Sequence, residues 1–145
     1  MSDDKKIAHL GFIQGVISRM GANSFLLKGW TVALIAATFA IAVQDADRHF
    51  LLMAFFPIFT FWILDSYYLH QEKLFRALYD GVAQDKVTSE FFTMDTTHTA
   101  SEVPSIACIA LSSTISIFYV VMSGMLIVAL VYFGVISTLL KAIQG

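Results

Sequence analysis

Val103–Leu140, VPSIACIALSSTISIFYVVMSGMLIVALVYFGVISTLL, runs 38 residues without a charged side chain. A helix needs only about 20 apolar residues to cross a bilayer, so this stretch alone argues for a membrane protein. Two shorter uncharged runs precede it, Gly29–Gln44 and His49–Leu64. The chain has 145 residues, room for one domain. It is 57% hydrophobic and 14% charged, against roughly 25% charged in soluble domains. A net charge of -2 indicates neither a nucleic-acid-coating protein nor an acidic tail. Cys108 is the only cysteine, so no internal disulfide is possible. Its apolar surroundings suit a small hydrophobe better than a reactive thiol. Arg19 and Lys28 interrupt what would have to be the apolar part of a cleaved signal peptide, and none is read.

The fold expected is all-α, a polytopic membrane protein with three transmembrane helices, an N-terminal amphipathic helix and a cytoplasmic extension of the second span. Ile7, Leu10, Ile13, Ile17 and Met20 recur at helical steps, with Lys5, Ser18 and Arg19 off that stripe. This amphipathic helix occupies residues 1–24, and Gly21-Ala22-Asn23-Ser24 offers a break before the next helix. Span 1 covers 25–44, with Lys28 snorkelling to the headgroups and Trp30 at the same interface. Gln44–Arg48 is a tight polar turn. Span 2 covers 49–68 and carries Pro57, which marks a kink. Its helical step continues through Gln71, Leu74, Leu78 and Val82, predicting a helix that leaves the membrane and ends near Gly81–Lys86.

Residues 66–104 form this cytoplasmic helix and a Ser/Thr-rich connector, in which Glu90–Met94 could form a short strand. Ser105–Ser113 reads as a short interfacial helix before span 3, 114–140. A single helix from Ser105 to Leu140 would be about 54 Å long, so a break near Ser112-Ser113 or Gly124 is expected. Seven cations (Lys5, Lys6, Arg19, Lys28, Lys73, Arg76, Lys86) fall on one side of the spans, and Arg48 and Lys141 on the other. That bias places the N-terminus and the 66–104 region in the cytoplasm and the C-terminus outside.

Asp65 sits just inside the membrane boundary, where an ionised carboxylate must face protein or water. It reads either as an ion-path or gate residue or as a helix-end anchor paired to a nearby base. Ser116, Ser123, Ser137 and Thr138, on the third span, could line a wet pore or serve as helix–helix glue. Arg19, Asn23, Lys28, Lys73, Arg76 and Tyr79 form a candidate anion site. Cations interleaved with stacking rings can hold a nucleotide, although a plain positive-inside signal with its aromatic belt accounts for the same residues. His70 lacks the spacing of a helical metal pair, and His9, His49 and His98 stand isolated. With no phosphate loop, nucleophile elbow or Cys-x-x-Cys, neither catalytic residues nor metal ligands nor a cofactor are expected, and the chain does not read as an enzyme.

Two stretches carry a family resemblance. One is His9-x-x-Phe12-Ile13-Gln14-x-x-Ile17-x-Arg19-Met20-x-x-Asn23-Ser24-Phe25-x-x-Lys28-Gly29-Trp30. The other is Phe61-Trp62-x-Leu64-Asp65-x-Tyr67-Tyr68-Leu69-x-Gln71-Glu72-x-x-Phe75-Arg76-x-Leu78-Tyr79. Together with the three-span layout they resemble small bacterial membrane proteins of anti-phage loci, most closely the membrane effectors of the Hailong defence system. The resemblance implies a homo-oligomeric, tetrameric ion channel in the bacterial inner membrane. It also implies that a nucleotidyltransferase from a neighbouring gene makes a short oligodeoxyadenylate that holds the channel shut until infection. A non-conducting membrane anchor or partner subunit and a holin-like pore former are the alternatives. A C-terminal tail with only Lys141 argues against the holin.

Overall fold

The computed structural model describes residues 3–45 and 48–144, with side chains placed for 3–42, 51–135 and 143. The described residues form five α-helices and one short 3-10 helix: α1 (Asp3–Asp45), α2 (Arg48–Met53), α3 (Phe55–Ala83), the 3-10 turn Thr97–Glu102, α4 (Ile106–Ala110) and α5 (Ser113–Gln144). Three stretches, Asp3–Ala42, Leu51–Ala83 and Ser113–Val135, are long and apolar enough to cross a membrane. The chain is an all-α membrane protein.

The first helix differs from the sequence expectation. Gly21–Ser24 does not break it, and α1 continues through 43 residues, about 65 Å at 1.5 Å per residue. The amphipathic segment and the first span are one rod. A mid-helix glycine costs only about 1 kcal/mol, and α3 packs along the rod. Ser24, which could have capped a new helix, turns its hydroxyl to Asp65 of α3 instead. Ile13 and Ile17 are buried as the periodicity predicts, Leu10 and Met20 are half-buried, and Ile7 is exposed.

The second span is interrupted at Ala54, one turn before Pro57. Proline has no N–H for the carbonyl four residues earlier and its ring crowds that carbonyl. The chain responds with a three-residue Ala54 N–H to Leu51 carbonyl bond (3.3 Å) and an Ile58 N–H to Ala54 carbonyl bond (3.4 Å), both long. Beyond the kink α3 is continuous to Ala83, as the sequence predicts. There the chain turns through Asp85 in a left-handed conformation (φ 59°), which the short polar side chain of Asp tolerates. The Gly81 carbonyl accepts from Lys86 N–H (2.8 Å) and Val87 N–H (3.1 Å). A Cβ at Gly81 would lie 3.1 Å from the Val87 side chain, so the close return of the connector leaves little room for a larger residue there. From α1, Lys6 donates to the Ala83 carbonyl and to Asp85 Oδ1, both at 2.8 Å.

No strand forms at Glu90–Met94. That segment is turns, with Phe92 at φ 50°. Its hydroxyls and carboxylates serve nearby amides: Thr88 accepts from Glu90 N–H, Thr93 from Asp95 N–H, and Asp95 from Thr97 N–H at 2.9 Å. Such local bonds compete with a ladder. Ser105 caps α4, accepting from Cys108 N–H at 3.4 Å. The break before the third span falls at Leu111-Ser112, and Gly124 leaves α5 unbroken.

Two cores result. One, in the membrane, gathers Ile35, Ala42, Leu51, Ala54, Ile58, Ile109, Ile115, Tyr119 and Leu126. The other gathers Ile13, Ile17, Leu78 and Val82 from α1 and α3, making their polar ends a two-helix stalk. Only 17% of the most apolar stretch of α1, and the same share of α5, is buried within the protein. Trp30, Val32, Leu34 and Ile41 on α1 and Val120, Ile127, Val128 and Val131 on α5 are exposed apolar side chains.

Leu78→Ala, at a fully buried stalk position, should lower stability by about 3 kcal/mol, read as a lower unfolding temperature in detergent. The Asp95 carboxyl is held below the ordinary carboxylate range by the Thr97 backbone N–H first and the Thr97 hydroxyl second. The turn is therefore intact above the usual carboxylate pKa and is lost as pH falls through the depressed value. The Thr97 amide shift followed by NMR during acidification should move only below the titration range of an ordinary aspartate.

Candidate functional site

The structure centres on Asp65, on α3 and completely buried. Ser24 and Lys28 stand one turn apart on α1, so their side chains share a face, and that face meets Asp65. Lys28 Nζ lies 2.5 Å from Asp65 Oδ2 and donates to Ser24 Oγ at 3.0 Å. Ser24 donates its hydroxyl to Asp65 Oδ1. Each carboxylate oxygen thus has its own donor. The Lys28 side chain keeps 26% exposure and Asp65 keeps none, so the ammonium covers the carboxylate on the side nearer solvent.

The third span reaches the same point. Tyr119 of α5 is fully buried and donates to the Phe61 carbonyl at 3.2 Å. Its hydroxyl lies within electrostatic reach of Asp65 and of Thr31, buried on α1. Its ring stacks on Trp62, with centroids 5.8 Å apart and planes 4° apart. Trp62 Nε1 donates to the Ala110 carbonyl at 3.0 Å, and Ser116 Oγ donates to the same carbonyl at 2.9 Å. The break after α4 frees that carbonyl for both donors. One turn of α3, Phe61–Ser66, therefore ties α1, α4 and α5 together.

Lys28 is not a free snorkelling cation, and its charge is committed to Asp65. The reading of Asp65 as an anchor paired to a base matches this geometry. The other proposed ligand residues are distributed over the stalk. Arg76 donates through Nε (2.9 Å) and Nη2 (2.8 Å) to Glu72, its i−4 neighbour. Arg19 and Lys73 are exposed with no ion pair among the described residues. Asn23 is half-buried, and Tyr79 packs against the stalk core. A cavity of about 170 Å³ on the stalk is lined by none of these six but by Asp80, Gln84, Lys86, His98 and Glu102 among others. Of the proposed pore residues, Ser116 is engaged with Ala110, and Ser123 is half-buried on α5. The side chains of Ser137 and Thr138 lie outside the described residues.

The sequence left His9 as an isolated residue, yet it is fully buried. Its Nε2 is 2.8 Å from the Thr93 carbonyl and its Nδ1 3.0 Å from Ser89 Oγ. A carbonyl only accepts, so Nε2 carries a proton and donates to it. His9 pins the connector onto α1 under the edge of Phe92. A helical histidine on the apolar side, at 9 before 13 and 17, was the available signal. No metal-holding group of three or more His, Cys, Asp or Glu residues occurs among the described residues. The chain matches no protein-family model, no curated protein and no solved structure.

Removing one member of a buried ion pair strands the other charge and typically costs 3–5 kcal/mol, whereas replacing both with apolar residues is often neutral. Lys28→Met should therefore destabilise the protein by about that amount, and Lys28→Met with Asp65→Leu should recover most of the loss. Thermal unfolding in one detergent measures both.

Proposed function

We propose that this chain is the subunit of a homo-oligomeric ion channel that depolarises the bacterial inner membrane as an anti-phage effector. In this reading its N-terminus and connector are cytoplasmic and its C-terminus is outside. The cation bias of seven against two supports that orientation. The exposed apolar faces of α1 and α5 support assembly, because three spans are too few to enclose a pore alone. The stalk is the regulatory part. An oligodeoxyadenylate made by a neighbouring nucleotidyltransferase binds its cations (Arg19, Lys73 and Arg76, with Asn23 and Tyr79 beside them), and Lys28 transmits the event rather than touching the ligand.

The observation that carries this reading is the buried Lys28–Asp65 pair at the foot of the stalk. Two rods joined there by a charge pair whose carboxylate is fully buried cannot shift gradually, since sliding exposes or strands that charge. The joint is a two-state element of the kind a ligand can bias. Moving a gate from 1:99 to 99:1 takes about 5.5 kcal/mol of differential binding, or about 1.4 kcal/mol from each of four subunits. A buried pair whose disruption costs about 3–5 kcal/mol can hold a closed state against that scale.

Purified protein in planar bilayers should carry unitary currents that oligodeoxyadenylate suppresses. Asp65→Asn should conduct in the presence of ligand, and cells expressing it should lose membrane potential. Silence of wild type and variant alike, at normal membrane insertion, would favour the non-conducting anchor.

A further inference from the structure

The α1 rod carries a second face that nothing among the described residues covers. Gly11, Gly15, Ser18, Ala22, Phe25, Gly29 and Val32 follow one another at alternating steps of four and three, and all are exposed. A Cβ built on Gly11, Gly15 or Gly29 meets nothing within 4 Å. Steps of four and three are the heptad repeat of a helix that packs along another helix, and small residues four apart permit close backbone approach. Phe25 is 76% exposed in the middle of the seam. We propose that this face of α1 is the contact between two copies of the chain, α1 against α1 in parallel. The proposal rests on the oligomeric reading above and names its interface.

Two observations select a second copy as the occupant. The first is length. Gly11–Val32 covers about 32 Å, and Gly11 lies about 26 Å beyond Lys28, outside the bilayer if span 1 begins at Phe25 as the sequence places it. Acyl chains cannot cover that part, and a soluble peptide cannot cover Gly29 and Val32 within the span. The occupant is a helix crossing the same boundary at the same height, as a copy of α1 does under a rotation axis along the membrane normal.

The second is charge. In a parallel heptad pair the residues flanking one side of a seam face those flanking the other side of its mate. Here Phe12, Arg19 and Leu26 flank one side, and Gln14, Gly21 and Lys28 the other. Arg19 has no ion pair among the described residues. Glu72 approaches the opposite flank, with its Oε2 3.5 Å from a Cβ built at Gly21. Docking two copies seam to seam sets the guanidinium of each toward Glu72 Oε2 of the other, the carboxylate oxygen that its own Arg76 does not hold.

Cysteines form a disulfide only when their Cα atoms approach within about 7 Å, so the seam can be mapped in native membranes. In a full-length Cys108→Ser background, Ser18→Cys and Ala22→Cys should each oxidise to dimer several-fold more than Lys73→Cys, a control on an exposed part of α3. Adding Arg19→Glu to the Ala22→Cys variant should lower its yield several-fold, and Glu72→Arg on top should restore it. Native mass spectrometry of the same samples separates the two ways of failing. An oligomer whose Ser18→Cys and Ala22→Cys yields do not exceed the Lys73→Cys yield overturns this interface and leaves the oligomeric reading standing. A monomer overturns both.

Discussion

A carboxylate with no solvent contact is costly unless its oxygens find close donors, and the Asp65–Lys28 contact organises the rest of the molecule around that requirement. Taking a carboxylate out of water carries a penalty of several kcal/mol, offset only when each lone pair finds a donor at close range. Lys28 and Ser24 are those donors, and they are positioned by being one helical turn apart. A slip of one residue would rotate α1 by about 100° and remove both. The pair therefore sets the register of α1 against α3, and with it the depth at which Ile13 and Ile17 meet Leu78 and Val82.

The same requirement explains why α1 is a single rod. A helix end at Gly21–Ser24 would leave unpaired backbone groups there and move Ser24 away from the carboxylate. Continuity satisfies the backbone and delivers both side chains. From this joint the structure divides by the way its helices are held. The stalk is fastened at its far end by Lys6 on the Ala83 carbonyl and by His9 on Ser89 and Thr93. The third span is held mainly at the Phe61–Ser66 turn, through Tyr119, Trp62 and the carbonyl freed at Ala110. Beyond that point α5 keeps one face on its own chain, through Met122, Leu126, Ala129, Leu130 and Phe133, and exposes another that carries Val121, Val128 and Val135.

The residues that were legible in the sequence share a property: their consequences are local. Pro57 lacks an amide hydrogen wherever it sits, so an interruption near it was readable, and it falls one turn earlier at Ala54. Leu74, Leu78 and Val82 announced a helix continuing into water by their spacing alone. Asp65 was conspicuous because a carboxylate beside apolar residues needs an explanation in any fold. Lys28 was equally visible, but as a charge near a boundary it fitted headgroup, ligand and ion pair alike. The strand considered at Glu90–Met94 failed because Thr88, Thr93 and Asp95 had amides to bond within two residues.

The sequence by itself determined that this is a helical membrane protein with three spans. One uncharged run longer than a bilayer is thick, and two shorter ones that flanking apolar residues extend to that length, leave a backbone no hydrogen-bond partners but its own, and helices follow from that. Only the tertiary structure decided which base answers Asp65, that the first helix passes unbroken through Gly21–Ser24, and that His9 lies beneath the connector. Those outcomes join residues 37 to 84 positions apart. Whether such groups meet depends on how two rods settle against each other, and a linear pattern carries no term for that.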